Sequence, residues 1–580
     1  MSSAARRGRR ARQCGSSAGP WKTRSRRKER AISDTRTILS SPVARPSTGV
    51  GEPAARSPRR GRRFCRDHRI QLIATGFSVP LYVVWSTLLA TGGGDLAAQV
   101  AWTDFVAAHP GSAYDFAWYG GIHVGNYSLV APQLMALLGV RTVTSLAGVA
   151  ATWFAAGLFR RGPFARPLGP ALLAALTLWC DVASGRSTFA LGVALALAGC
   201  SVAAGRASRA AVPGTAVLTG LATLASPVAG LFLLVAGATR LLVGEYAKAV
   251  ALCAPPAVVV ALTTVLFPFS GVQPMDTGDI WKPLVFCAAL LALAPRAWRG
   301  VRLGSAVYAL GLVLTALVDS PVGSNVIRLA ELFAPPLLLA AAQARSLRPL
   351  RRVALAVVLA VSVQWVFQHT VHVVRMSTPT PAWAARTDGV LSALDRLGAD
   401  RTRVEVVPAL NHRETTALAP HVNTARGWNR QVDVDRGRLF YDGTFSPAAY
   451  RAWLDRWAVG LVVLPRGAPD WAAKEEAALV RAEPAWLKPV WSDREWRVYR
   501  VEAAKPLVRG PATVTGSDSA GVVVRFHRKG SALLRVAYSP WLRVGGGCLE
   551  RAGEWTRLRA PRAGLYRVSA PYRLPWQDRC

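Results

Sequence analysis

Acidic residues are scarce in this sequence of 580 residues. It holds 33 Asp and Glu residues against 71 Lys and Arg residues, which gives a formal net charge of +38. In a soluble protein this excess would indicate a nucleic-acid partner. Here much of the positive charge lies in the N-terminal tail and in short connectors between apolar segments, so the sequence predicts membrane lipids and no nucleic acid as partners.

The sequence also lacks an apolar stretch near its N-terminus. Residues 1–66 are rich in Arg, Ser, Gly and Pro and contain almost no cluster of large apolar side chains, so we expect a disordered cytoplasmic tail. The first long apolar run, 70–90, is too long for the core of a secretory signal and lacks a small-residue cleavage site. We expect this run to be the first membrane-spanning helix.

Apolar segments recur after the first one, several of them near the lower length limit for crossing a bilayer. The sequence therefore predicts a polytopic α-helical membrane protein with about eleven transmembrane helices, within a domain over 67–375. The predicted spans are 70–90, 142–159, 168–182, 188–204, 212–225, 228–243, 247–267, 282–295, 303–318, 326–343 and 353–374.

Basic residues occupy every second connector, and Arg186 is the main exception. The positive-inside rule then places the N-terminus in the cytoplasm and the residues after 375 outside the plasma membrane. A single long helix over 212–243, in place of two, would reverse that assignment. The basic connectors carry Arg160, Arg161 and Arg166; Arg206 and Arg209; Arg240 and Lys248; Arg296, Arg299 and Arg302; and Arg345, Arg348, Arg351 and Arg352.

Two exterior parts have their own patterns. The first outer connector, 92–127, is long and aromatic, and residues 94–108 have the spacing of a helix lying in the membrane interface.

Beyond 375, β-rich runs and one N-capped helix predict an extracytoplasmic α/β domain over 376–507, and short strands predict a β-sandwich-like module over 508–580. Cys548 and Cys580 fall in that module, where a disulfide and two free thiols are both open alternatives.

Asp95 is the first candidate for chemistry. It follows three glycines directly after the first span, so a tight turn could present its carboxylate at the outer membrane surface. A carboxylate there could act as a general base on a hydroxyl group. The alternative is a helix N-cap, a structural role for which Asp is equally suited.

A second constellation lies at the outer start of the span 326–343. Arg328 and Glu331 are three residues apart and share a helix face, with Asn325 one turn earlier. A guanidinium near a helix N-terminus could bind a lipid phosphate. The alternative is a structural pair between Arg328 and Glu331, with Arg328 reaching towards the membrane surface.

Metal sites are weaker predictions. Asp104, His109, Asp115 and His123 share the first connector, but their spacing matches no compact site. The segment 411–414 with His421 has loose metal spacing only. No cofactor is predicted, and a divalent metal ion is left as an alternative.

The chain resembles the GT-C class of polyprenyl-phosphate-sugar-dependent glycosyltransferases, which includes protein O-mannosyltransferases and envelope arabinofuranosyltransferases. The resemblance rests on Asp95, the aromatic stretch Trp118-Tyr119-Gly120-Gly121, many short helices and an exterior C-terminal domain, and it covers 70–580. It implies that Asp95 activates the acceptor hydroxyl, that Arg328 stabilises the phosphate, and that Asn325, Glu331, Trp118 and Tyr119 contact substrate. Many members carry paired acidic residues in this loop, whereas Asp95 stands alone until Asp104.

The resemblance predicts an enzyme that moves a sugar from a polyprenyl-phosphate carrier to an envelope polysaccharide or protein at the outer face. Two other classes stay open. A transporter or lipid flippase would place ionisable groups on broken helices at the bilayer midplane. A non-catalytic envelope scaffold would bind polysaccharide or a partner through its exterior domain.

Overall fold

Apolar helices run through the first two-thirds of the chain in the computed structural model, which describes residues 58–205, 210–269, 271–275, 277–573 and 580. Residues 1–57 of the predicted tail, and the predicted basic connector at Arg206 and Arg209, lie outside these ranges; residues 58–66 belong to the first helix. The helices are α1 Pro58–Asp67, α2 Arg69–Val84, α3 Asp95–Ala108, α4 Ala131–Leu138, α5 Val140–Arg161, α6 Leu168–Ala183, α7 Ser187–Ala203, α8 Ala211–Ala225, α9 Pro227–Leu242, α10 Tyr246–Leu266, α11 Thr277–Leu293, α12 Arg299–Leu317, α13 Arg328–Ala342 and α14 Pro349–Ser377.

Each of the predicted spans coincides with one of these helices, namely α2 and α5 to α14. The prediction of a polytopic α-helical membrane protein is confirmed, while the number of crossings stays a prediction. Among the described residues, six helical segments are long and apolar enough to cross a membrane, counting a π-helical turn after α2 and a 3-10 helix before α13: Arg69–Leu89, Val140–Arg161, Tyr246–Leu266, Arg299–Leu317, Gly323–Ala342 and Pro349–Ser377.

The segment 212–243 forms two helices. The backbone of Ser226 is extended (φ −156°, ψ 115°), and Pro227 begins α9. The turn between the helices lies against the first connector, where the Leu129 N–H donates to the Leu224 carbonyl at 3.0 Å. At its other end, α9 brings Arg240 beside the C-terminal end of α5. The pair is therefore a helical hairpin, which keeps the predicted alternation of connectors.

The C-terminal domain, residues 378–573, contains an α/β part and a β part. Its helices are α15 Ala382–Ala385, α16 Asp388–Arg396, α17 Glu414–Ala417, α18 Arg430–Arg436, α19 Pro447–Trp457 and α20 Lys474–Arg481. Its strands follow β1 Tyr114–Asp115 and β2 Ile122–His123 of the first connector, and they are β3 Arg403–Val406, β4 Val459–Pro465, β5 Leu487–Ser492, β6 Trp496–Val501, β7 Val508–Arg509, β8 Ala512–Asp518, β9 Gly521–Phe526, β10 Gly530–Ala537, β11 Arg543–Val544, β12 Cys548–Ala552, β13 Trp555–Ala560 and β14 Gly564–Ser569.

Three four-stranded sheets organise this domain. The first has the order β3-β4-β6-β5, with β3 and β4 parallel, and helices pack on it. The other two have the orders β12-β13-β10-β7 and β11-β14-β9-β8 and enclose a shared apolar core. The predicted α/β and β-sandwich-like parts are thus present. Cys548 and Cys580 form a disulfide.

The first connector is buried under the C-terminal domain. The N–H groups of Ala113 and Phe116 donate to the carbonyls of Ala570 and Ser519, each at 2.8 Å. Arg413 joins the ends of two spans, because its Nη2 donates to Thr91 Oγ1 at 2.7 Å and to the Ser377 carbonyl at 2.9 Å. The C-terminal ends of α2 and α14 therefore lie at the same end of the bundle. Helix α3, predicted to lie in the membrane interface, packs its apolar side against residues of this domain.

The orientation can be read with a membrane-impermeant maleimide after every cysteine except Cys548 and Cys580 is replaced by alanine. Asp442 is exposed on the C-terminal domain, and Arg351 is exposed at the opposite end of the bundle. We expect Asp442→Cys to react in intact cells and Arg351→Cys to react only after the membrane is opened, because basic connectors stay in the cytoplasm. The reverse pattern would place the C-terminal domain inside.

The buried carboxyl group of Asp115 should make the free energy of unfolding depend on pH. Burial raises the pKa of its carboxyl to about 7, although the Ala117 N–H donates to it at 2.7 Å. The unfolded chain ionises first as pH rises, so the wild type should lose stability relative to Asp115→Asn between about pH 4 and pH 7, by about 4 kcal/mol. Above pH 7 the gap should stay constant.

Thermal unfolding across this pH range measures the gap. The exposed residue Asp319 supplies the matched control, since Asp319→Asn should follow the wild-type profile. Parallel profiles for the wild type and Asp115→Asn would show that the buried carboxyl does not set this dependence.

Candidate active site

Asp95 begins helix α3 at the end of the bundle that carries the C-terminal domain. Gly94 is the N-cap residue, and no side chain caps this helix. Among the described residues, no group hydrogen-bonds or ion-pairs with the half-buried Asp95 carboxylate. The predicted alternative, that Asp95 is the N-cap, is therefore wrong. The carboxylate lies in the first helical turn, where the helix dipole favours a negative charge.

The turn before Asp95 is held by the C-terminal domain. The Gly94 N–H donates to the Asn411 carbonyl at 2.8 Å. Gly94 has a φ of +65°, and a Cβ at Gly93 would lie 2.3 Å from the Ser377 carbonyl oxygen. Only glycine fits such positions without displacing the backbone. The position of Asp95 thus depends on contacts with residues more than 280 positions later in the chain.

Arg328 begins α13 and has no protein partner for its charge. Among the described residues no hydrogen bond or ion pair involves its guanidinium, which lies 5.3 Å from the centre of the Phe189 ring. The predicted structural pair of Arg328 with Glu331 is wrong. A partly accessible guanidinium without a carboxylate partner is suited to bind a phosphate or another anion.

Glu331 is paired with Arg186 instead. Arg186 Nη1 lies 2.6 Å from Glu331 Oε2 and 3.1 Å from Asp181 Oδ1, and Arg186 Nη2 lies 3.2 Å from His369 Nε2. The predicted pair of Asp181 and Arg186 is present, with Glu331 added to it. Asp181, Arg186 and Glu331 form a buried charge cluster at the ends of α6, α7 and α13, and the half-buried His369 joins it from the last third of α14.

Asp95 and Arg328 lie beside the charge cluster around Arg186. The Asp95 carboxylate is within electrostatic range of Arg328, Arg186 and His369. A Cβ at Gly185 would lie 2.7 Å from the Leu96 backbone nitrogen, so the turn before Arg186 packs directly on the first turn of α3. The sequence-predicted acid and cation are therefore brought together at one end of the bundle.

Tyr127 and Gln99 complete this region. Gln99 Nε2 donates to the Tyr127 hydroxyl, and Gln99 Oε1 accepts from the Thr188 N–H at 3.3 Å. Burial, with a contribution from the Asp95 charge, raises the pKa of Tyr127, which keeps its hydroxyl protonated at neutral pH. No sequence signal points to Gln99, because a lone amide on an apolar helix is a common core residue.

The other predicted contact residues differ in their placement. Asn325 is buried in the 3-10 helix one turn before Arg328. Trp118 is 1% exposed and packs edge-on against Trp102 with ring centres 4.8 Å apart. Tyr119 is fully buried, and its hydroxyl donates to the Gly427 carbonyl at 2.8 Å. Trp118 and Tyr119 thus join the first connector to the C-terminal domain and do not face the Asp95 region.

The metal candidates do not assemble. Within the described ranges, no three His, Cys, Asp or Glu side chains form a group suited to hold a metal ion. His412 lies 3.4 Å from Glu414 and 3.5 Å from Asp470. Burial alone would lower the pKa of His412, but the two carboxylates beside it outweigh burial and raise that pKa. A raised pKa disfavours the neutral imidazole that metal ions bind.

An apolar groove opens beside the charge cluster. It has a volume of about 340 Å³ and lies between α6 and α14, with Trp179 and Phe367 among its lining residues. Cys180 and Thr370, the sequence neighbours of Asp181 and His369, also line it. The groove thus leads from a lipid-facing surface towards the charged residues.

The two arginines should differ in their effect on stability. Arg186→Gln leaves two carboxylates without their cation, which typically costs about 3–5 kcal/mol for a buried pair. Arg328→Gln removes only the contact with the Phe189 ring, worth about 1 kcal/mol. Thermal unfolding of the purified protein in detergent compares the variants, with Arg186→Lys retaining the charge. Equal destabilisation by both glutamine variants would mean that Arg328 has a structural partner.

No protein-family model matches the chain, and no curated protein sequence matches it. Solved structures with similarity to the chain include the arabinofuranosyltransferase AftD from Mycobacteria, with a TM-score of 0.42 and 15% identity over 80% of this chain and 41% of that one. A mutant form of the same enzyme gives a TM-score of 0.40 and 15% identity over 76% and 42%.

Another similar structure is the oligosaccharyltransferase of Archaeoglobus fulgidus in complex with Zn and sulfate. It gives a TM-score of 0.41 and 11% identity over 68% of each chain. The present chain spans about two-fifths of the length of AftD. AftD is by name an arabinofuranosyltransferase, the type of enzyme that the sequence resemblance named. These values assign neither an activity nor a substrate to this chain.

Proposed function

We propose that this protein is a membrane glycosyltransferase that moves a sugar from a polyprenyl-phosphate carrier to a hydroxyl group of a cell-envelope acceptor at the outer face. The observation that carries the proposal is the convergence at one end of the bundle of the Asp95 carboxylate and the Arg328 guanidinium, neither of which has a hydrogen bond or ion pair with any residue that the structure describes. The two groups supply the base and the cation that such a transfer needs.

In the proposed reaction Asp95 accepts the proton of the acceptor hydroxyl as its oxygen attacks the anomeric carbon. The bond between that carbon and the phosphate oxygen breaks, and the carrier phosphate leaves with the electron pair. Arg328 stabilises the charge that develops on the phosphate. A lipid phosphate is already a good leaving group, so the mechanism assigns no separate acid.

The apolar groove between α6 and α14 supports a lipid-linked donor. An isoprenoid chain lying there would bring its phosphate to the ends of α6 and α14, next to the cluster that includes Arg186. Glu331 and Asn325 act in this proposal by shaping the surroundings of Arg328. Their burial argues against direct contact with the acceptor.

The alternatives fit the charge distribution less well. A transporter is expected to hold its ionisable groups near the bilayer midplane. Here Asp181, Arg186 and Arg328 lie at helix ends on the side of the C-terminal domain. A non-catalytic scaffold would have no need of an unpaired base beside an unpaired cation.

Sugar transfer from radiolabelled polyprenyl-phosphate sugars in membranes tests the proposal. Asp95→Asn should lower transfer by about 10²–10⁴-fold, the usual contribution of a general base. Asp104→Asn is the matched control, since Asp104 is an exposed carboxylate on the same helix. Repeating the assay with a chelator measures any contribution of a divalent ion.

Three outcomes of this assay would contradict the proposal. Equal transfer by Asp95→Asn and the wild type would remove Asp95 from the mechanism. Uptake of the labelled donor into vesicles without transfer would favour a flippase, and binding of polysaccharide without either would favour a scaffold.

A further inference from the structure

Another apolar cavity opens at the end of the bundle opposite the C-terminal domain and extends to the first turn of α13, where Leu329 and Ala330 line it. It has a volume of about 670 Å³ and is enclosed by α5, α7, α9, α11, α12 and α13. Leu158, Val193, Phe232 and Leu337 are among the apolar side chains that line it. Its size falls in the range of about 300–1,000 Å³ that is typical of ligand pockets. None of the residues proposed for sugar transfer lines this cavity.

The mouth of this cavity is positively charged. Arg161, Arg240 and Arg299 lie there, at the ends of three different helices. Arg240 pairs with Glu245 at 2.7 Å, whereas Arg299 has no hydrogen bond or ion pair with the described residues. Three guanidinium groups against one carboxylate leave the mouth with a net positive charge.

The start of helix α12 adds to this charge. Trp298 is its N-cap residue and provides no side-chain cap, and residues 299–301 of its first turn line the cavity. The free N–H groups of a first helical turn carry partial positive charge and bind anions. The cavity therefore combines a deep apolar interior with an anion-binding mouth.

We propose that this cavity binds an anionic phospholipid, with an acyl chain in the interior and the phosphate at Arg161, Arg240 and Arg299. A soluble anion would leave the apolar interior without a ligand, and a zwitterionic lipid would leave the positive charge of the mouth largely uncompensated. The lipid would reach this site from the leaflet opposite to the one used by the sugar donor. The proposal does not depend on sugar transfer.

Photocrosslinking of the full-length protein tests this site. The probe is a phosphatidylglycerol with a photoreactive acyl chain, in vesicles of phosphatidylcholine, and mass spectrometry locates the adducts. We expect adducts on cavity residues such as Cys200 and Ala236. Arg299→Gln should weaken binding about fivefold, the usual effect of one basic residue near an anionic lipid. Ala236→Trp should fill the interior and abolish the adducts.

Matched controls separate the site from the general membrane surface. Arg351→Gln removes an exposed arginine at the same end of the bundle, and Ala261→Trp adds a ring to an exposed helix face; both should bind as the wild type does. Unchanged crosslinking by Arg299→Gln, equal labelling by a phosphatidylcholine probe, or adducts only outside the cavity would each overturn the proposal. Should Ala236→Trp fail to fold, Arg299→Gln decides, because Arg299 is exposed and has no hydrogen bond or ion pair to lose in the described part of the chain.

Discussion

The guanidinium of Arg186 is the charge on which the candidate active site depends. It forms ion pairs with two carboxylates, Asp181 from α6 and Glu331 from α13, in a largely buried position where an unpaired charge would be costly. Because Glu331 is committed to Arg186, Arg328 lies one turn away without a carboxylate partner. The ion pair between Glu331 and Arg186 therefore leaves the guanidinium of Arg328 available to an anion.

The position of the base depends on a different constraint. The turn 92–94 adopts backbone angles that favour glycine, and such a turn gains little from its own residues. It is held from outside, by the Asn411 carbonyl and by Arg413, which also binds the last span. The C-terminal domain is thus part of the site's framework, even though none of its side chains is proposed as a catalytic group.

Local patterns in the sequence predicted the elements well. Apolar length and basic connectors located the helices, and Ser446 caps α19 through the Ala449 N–H at 3.1 Å, as the sequence of that helix indicated. Contacts between distant segments could not be predicted in this way. The three-residue spacing of Arg328 and Glu331 favoured a local pair, but Arg186 lies 145 positions from Glu331 and no local rule points to it. Trp118 and Tyr119 lie between the first connector and the C-terminal domain, a placement that the sequence did not indicate, since aromatic composition does not distinguish a sugar platform from a domain interface.

Asp95 and Arg328 have opposite charges and lie within electrostatic range, yet no ion pair joins them. A direct pair would occupy the carboxylate oxygens and the guanidinium nitrogens that the proposed reaction requires. Each charge is stabilised locally by a contact that leaves its polar atoms available. The dipole of the first turn of α3 stabilises the Asp95 carboxylate, and the Phe189 ring stabilises the Arg328 guanidinium. In the proposed reaction the base and the phosphate lie on opposite faces of one sugar ring. Keeping the two groups apart is therefore as necessary to the chemistry as bringing them to the same end of the bundle.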